Sequence, residues 1–314
     1  MTRFERLSGV VAGLPFQNPV VLASGTAGYG VELSGVMNLD RIGAVTTKAV
    51  SVEPRQGNAA PRVAEIDEGM INAVGLANPG LAKVKETYVP WLATHLPRTR
   101  KLVNVVGNAA EEFATVVREL DVAASDTTAI DAFELNVSCP NVKAGGMEFG
   151  ADPAALRALI TAARAATRRK IFVKLSPTLP DIARTAQIAV DAGADGLTLV
   201  NTLPGLSIDV DRRRPVLGFG SGGVSGAGLL PVGVLATWRV HRAVPVPLIG
   251  VGGVSSARDA LQYLIAGASL VGIGTAALRD PRLPERIVHD LAEWSDRQGL
   301  RSIGEVVGTL EWAS

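Results

Sequence analysis

Cys139 is the only cysteine in 314 residues, and it closes the run FELNVSC at 133–139. A lone thiol can be core filler, a metal ligand short of partners, or a catalytic group. With an ordinary pKa of about 8.5, a thiol accepts or gives up a proton near neutrality at modest cost. The histidines, His95, His241 and His289, fall in expected helices or at their ends. None is placed to activate the thiol for acyl transfer, and none has a second histidine at ligand spacing, so no metal site is expected. Proton transfer fits better. A thiol base beside an electron-accepting cofactor suits removal of a proton next to a carbonyl, paired with hydride loss.

Five other polar residues, Lys48, Asn104, Asn136, Lys174 and Asn201, stand at or near the C-terminal ends of separate apolar runs. Buried polar groups are costly unless paired. One such residue is explained as filler bonded to its neighbours, but five converging on one rim point to a ligand site. A second signal lies in IGVGGVSS, with Gly252 and Gly253, and in GIGTAA, with Gly274 and Thr275. Paired glycine turns with free N–H groups at helix starts suit a phosphate, on either a cofactor or a substrate.

Two dinucleotide-like patterns are set aside. Gly218, Gly220 and Gly223 fit G-x-G-x-x-G, but no acid occurs between Gly218 and Arg258 to hold a ribose. Gly272, Gly274 and Ala277 fit the relaxed form, but no further strand follows to complete the unit. The glycosylation sequon Asn136-Val-Ser138 ends an expected buried strand and carries no weight.

The elements that must position these residues are eight short β-branched runs, at 19–25, 44–50, 101–107, 132–139, 170–176, 196–202, 247–253 and 270–275. Their lack of clean alternation suits parallel strands buried on both faces. Helical segments lie between most of them: 111–120 is amphipathic, Asp152-Pro153 opens 153–167, and 181–192 closes at Gly193. Ser255 is expected to cap 256–266, which closes at Gly267. Strands alternating with helices at this length give an α/β fold, a (β/α)8 barrel spanning 1–314 as a single domain. Three long connections, 51–78, 140–151 and 203–229, are expected as loops over the C-terminal face.

The formal net charge of +1 and the 47% hydrophobic content argue for a large core and against a nucleic-acid or anionic membrane partner. A long charge-free stretch, 215–238, holds seven glycines and two prolines, so a loop followed by a helix beats a membrane span. A cytoplasmic protein is expected.

The motifs N-V-S-C-P-N-V-K-x-G-G (136–146), G-M-I-N-A-V-G-L-x-N-P-G (69–80), P-R-x-G-N-x-x-P-R (54–62), V-K-L-S-P (173–177) and G-G-V-S-G (222–226) resemble dihydroorotate dehydrogenase. Within that family they are most similar to class 1, whose base is cysteine, and to the 1B catalytic subunit. The resemblance runs from about residue 7 to 280. It implies an FMN-binding TIM barrel with an N-terminal hairpin that oxidises dihydroorotate to orotate in pyrimidine synthesis. Cys139 would take the C5 proton, the C6 hydride would go to FMN, and Lys174 would stabilise the reduced flavin. FMN contacts would come from Ser24, Lys48, Ala49, Asn104, Asn136, Lys174, Val200 and Gly226, with Gly252, Gly253, Gly274 and Thr275 around the phosphate. Substrate contacts would come from Lys48, Asn72, Ala73, Val74, Gly75, Leu76, Asn136, Asn201 and Thr202.

The 143–146 segment would act as a lid. The resemblance also implies a homodimer, or a heterotetramer with a partner subunit that carries FAD and a [2Fe–2S] cluster and reduces NAD+. One thiol cannot hold that cluster. Fumarate remains an alternative acceptor, and dihydropyrimidine dehydrogenase and tRNA dihydrouridine synthases are related flavin barrels with other substrates. Ala59, Ala77 and Pro204 depart from the usual pattern, and Pro204 is expected to alter a loop that meets substrate or partner.

Overall fold

The computed structural model describes residues 2–138 and 149–312. Among them, eight parallel strands close a barrel: β1 (Val20–Leu22), β2 (Ala44–Thr46), β3 (Arg100–Val105), β4 (Ala132–Asn136), β5 (Lys170–Leu175), β6 (Gly196–Leu199), β7 (Leu248–Val251) and β8 (Leu270–Ile273). They follow chain order around the barrel, and β8 pairs back onto β1 with Val271 opposite Val20. Nearly every strand residue is buried, so both faces need apolar side chains. Seven of the eight runs singled out in the sequence contain one of these strands, and the third, 101–107, starts one residue after β3 does.

The outer layer is helical. A short helix α1 (Gly80–Lys83) runs through a π turn (Val84–Tyr88) into α2 (Val89–His95). Then come α3 (Ala110–Ala123), α4 (Pro153–Ala166), α5 (Ile182–Asp191), α6 (Leu230–His241), α7 (Ala257–Ile265), α8 (Thr275–Arg279) and α9 (Leu283–Arg297). Asp152 caps α4, accepting from the N–H groups of Ala154 and Ala155. Asp181 caps α5, and Gly193 follows it with a φ of 108°. The cap of α7 is Ser256 rather than Ser255. Ser256 has the extended backbone of a cap and accepts from Asp259 N–H, while Ser255 donates to the Asp259 carboxylate. Among the described residues no helix is long and apolar enough to cross a membrane.

Alternation along the strands splits the core. Outward residues such as Phe133 and Val173 pack under the helices, while Leu102, Ala132, Phe172 and Ile249 point inward. The N-terminal hairpin, Gly9–Val11 with Leu14–Phe16, plugs this inner layer with Phe16, which is 3% exposed. The barrel floor is therefore apolar and sealed.

The connections 51–78 and 203–229 are not plain loops. Val63–Ile66 and Gly69–Asn72 from the first pair with Gly222–Gly226 and Leu203–Gly205 from the second, giving one antiparallel four-stranded sheet. This sheet is a roof joined to the barrel after β2 and β6, with its own small core of Ile71, Ala73 and Leu217. Pro204 lies on its edge strand and is exposed, a position where a missing N–H costs little. It is a strand residue, not a loop residue.

Candidate active site

One residue step above the apolar floor, the inward positions turn polar. Thr46, Asn104, Glu134, Lys174 and Thr198 are all buried, on five successive strands from β2 to β6. Ser24, at the end of β1, lines a small cavity with Thr46, Glu134, Lys174 and Thr198. The Glu134 carboxylate accepts from Asn104 Nδ2 at 2.7 Å and from Thr198 Oγ1 at 2.8 Å. The other end of the Asn104 amide, Oδ1, is buried and has no hydrogen-bond partner among the described residues. A buried acceptor left open beside the bonded Asn104–Glu134–Thr198 chain is placed to receive a ligand donor.

Above this layer, Asn136 and Lys174 are register partners on β4 and β5. Asn201 follows β6. Its Nδ2 donates to Ser138 Oγ at 2.8 Å and approaches Ser138 O at 3.3 Å, while its Oδ1 accepts from Thr202 N–H. Ser138 Oγ in turn donates to Asn136 Oδ1 at 3.1 Å. Ser138 thus ties the two rim asparagines together, and Asn136 Nδ2 donates to no group among the described residues. Thr202 stands against Gly223 of the roof, where any Cβ would lie 2.1 Å from Thr202 Oγ1.

The glycines after β7 and β8 form a bare backbone shelf. Gly252 and Gly253 have φ of 129° and 73°, and a Cβ on Gly253 would meet Leu230 N at 2.5 Å. The buried Tyr263 phenol of α7 donates to Gly252 O at 2.8 Å and pins the turn. Burial, followed by the nearby Asp259 charge, pushes that phenol well above its usual pKa. Gly274 has only distant neighbours for a Cβ, and Thr275 Oγ1 donates to Ser225 Oγ of the roof. Gly226, with φ of 122°, ends the same roof strand.

The stretch 72–76 forms the roof's near edge. Asn72 Nδ2 donates to Gly223 O, Gly75 and Leu76 both take positive φ, and Leu76 O accepts from Asn78. Asn78 also accepts from Ser51 N–H and Gly80 N–H, so it anchors the whole segment. Ala73 is turned into the roof core, with its N–H bonded to Arg62 O and its carbonyl to Asn58. Val74 O accepts from Asn58 N–H. Lys48 and Ala49 follow β2. Lys48 is half-buried with its N–H on Gly28 O, and Ala49 O takes the Tyr29 hydroxyl at 2.9 Å. Val200, buried, caps β6.

Cys139 and the 143–146 segment lie outside the described residues. The histidines are remote from this rim: His95 ends α2 stacked on Trp91, His241 ends α6, and His289 sits on α9 beside Arg3. Glu134, Ser138, Thr198, Asn78 and Tyr263 escaped sequence reasoning. An acid inside an apolar run, at the same parity as Asn136, was the available signal for Glu134.

A polar rim with a glycine shelf at the C-terminal end of a (β/α)8 barrel defines an enzyme class whose ligands enter above the strands. Comparison with known proteins narrows it. The family model described as "Dihydroorotate dehydrogenase" matches residues 6–294, and the chain belongs to that family of oxidoreductases. It is 44% identical over 301 residues to the catalytic subunit of dihydroorotate dehydrogenase B (NAD(+)) of Pelobacter propionicus, covering 96% of this chain and 97% of the relative. The same-named subunit of Geobacter sulfurreducens is 43% identical over 305 residues, covering 97% and 98%. That of Desulforudis audaxviator is 44% identical over 298 residues, covering 95% of each. Membership implies an FMN-binding enzyme.

Proposed function

We propose that the chain, as one FMN-binding barrel domain, oxidises (S)-dihydroorotate to orotate and is the catalytic subunit of an NAD+-linked enzyme. The observation that carries this reading is the rim itself. Asn136 and Asn201 stand over a polar layer that contains Lys174 and whose Asn104 Oδ1 lacks a partner among the described residues.

The residues present fit FMN. Gly252, Gly253, Gly274 and Thr275 would offer backbone N–H groups to a phosphate, with Gly252 and Gly253 at positive φ in turns too tight for a side chain. Ser24, Lys48, Ala49, Asn104, Asn136, Val200 and Gly226 would surround the ring and ribityl chain. When bound, FMN supplies the two-electron acceptor for the C6 hydride.

The chain's own residues do the rest. Asn136 offers Nδ2, and Asn72, Asn201, Thr202 and the backbone of 73–76 supply further amide donors and acceptors that match a pyrimidine ring. Lys48 offsets the substrate carboxylate. Lys174, buried in the polar layer, presents fixed positive charge where negative charge builds up. Cys139 follows the hydrogen-bonded Ser138 directly, and its thiolate takes the C5 proton as the C6–H bond breaks. The 143–146 segment would exclude water as a lid. One cysteine leaves iron–sulfur chemistry to a partner, so FAD and a [2Fe–2S] cluster would reside on a second subunit, in a heterotetramer built on a dimer of this chain.

The test is stopped-flow reduction of the bound flavin. Dihydroorotate should reduce the wild-type protein, and Cys139→Ala should slow that step by about 10²–10⁴-fold at neutral pH. Reduction of Cys139→Ala at the wild-type rate removes the cysteine base. Flavin that responds to dihydrouracil but not to dihydroorotate removes the substrate assignment.

A further inference from the structure

Glu134 is an acid in the middle of a barrel strand and is 2% exposed. Burying such a group is expensive unless every oxygen is satisfied. Both oxygens are: one accepts from Asn104 on β3 and the other from Thr198 on β6.

This arrangement has a directional consequence. A carboxylate only accepts, whereas an asparagine amide can donate from one end and accept at the other. Facing Glu134, Asn104 is forced to present its NH2 group, and its carbonyl must point the other way. That carbonyl oxygen is buried and has no partner among the described residues. The polar layer therefore asks its ligand for an N–H donor.

We infer that Glu134 is a positioning residue for the cofactor. It locks the Asn104 amide so that Oδ1 is offered to a ring N–H of bound flavin, and Thr198 holds the carboxylate from the far side. The inference rests on the FMN reading above. Glu134 touches no reacting atom and acts through Asn104. A glutamine in its place can turn either amide end to Asn104, so the acceptor direction is no longer imposed.

FMN titration of the reversibly deflavinated protein tests this, followed by flavin fluorescence, in a double-mutant cycle of Glu134→Gln with Asn104→Ala. Glu134→Gln should weaken FMN binding about tenfold alone, yet by less than about twofold when Asn104 is already alanine. Equal losses in both backgrounds would mean that Glu134 merely supports the barrel, and no loss in the first would mean that it fixes nothing. Either overturns the inference. If Glu134→Gln does not fold by circular dichroism, Thr198→Val takes its place. It should give about a threefold loss that vanishes in the Asn104→Ala background, and an unchanged affinity overturns the inference equally. A wild-type protein that takes up no FMN overturns the proposed function, and this inference with it. That outcome is told apart by occurring before any substitution is made.

Discussion

Ser138→Ala isolates how the rim is ordered. Ser138 is 1% exposed and makes two side-chain hydrogen bonds, one received from Asn201 and one given to Asn136. Alanine removes both without a steric penalty. Asn201 keeps a fallback, since its Nδ2 already lies 3.3 Å from Ser138 O and can settle there. Asn136 has no such substitute among the described residues, and its Oδ1 loses the donor that fixes the amide. One hydrogen bond lost outright and one weakened amount to about 1–2 kcal/mol, or about 5–30-fold in an equilibrium constant. Because both asparagines are proposed to hold substrate, the loss should fall on binding. Steady-state kinetics with dihydroorotate, on protein reconstituted with FMN, should show KM raised by about 5–30-fold, with kcat reduced less. An unchanged KM in the reconstituted protein refutes the reasoning.

Other perturbations separate the shelf, the pin and the floor. Gly253→Ala imposes a side chain at positive φ and 2.5 Å from Leu230 N, so it should cost about 1–3 kcal/mol in urea unfolding and strip FMN on purification. Tyr263→Phe leaves Gly252 O without its donor and should cost about 0.5–1.5 kcal/mol in the same assay. Burial raises the phenols of Tyr29 and Tyr263 above the usual 10.0, so the folded chain keeps protons that the unfolded chain loses above that value. Their stabilising contribution is complete below that pH and is lost as pH rises past it. The urea midpoint should therefore fall above about pH 10, less steeply in Tyr263→Phe, and a flat profile to about pH 11 contradicts this. Phe16→Ala opens the barrel floor and should cost about 3–5 kcal/mol by denaturant unfolding.

The barrel was legible because its strands are short, apolar on both faces and bounded by turn residues. Caps were legible where one side chain could do the job, as with Asp152 and Asp181. Where two serines stood side by side, only backbone geometry could choose Ser256. The roof was invisible because Asn72 meets its partner strand far along the chain, and no local periodicity announces such a pairing. The rim asparagines and lysines were legible as polar residues ending apolar runs. Glu134 and Ser138 were not, since their value lies in the side chains they hold. Ser138 was read only as part of a sequon, yet it bonds to the very asparagine of that sequon.

The roof carries a kinetic consequence. Asn72 and the Gly223 carbonyl it bonds are 151 positions apart. Closing so long a loop is entropically costly, and such pairings form late compared with neighbouring strands. β3, β4, β5 and β6 all lie between the two halves of the roof, so most of the barrel wall precedes it in the order of assembly. Refolding should therefore pass through a stage in which helical content has recovered but the chain cannot yet hold a pyrimidine. Competence to turn over arrives with the two long closures, the roof and the β8–β1 seam, rather than with collapse.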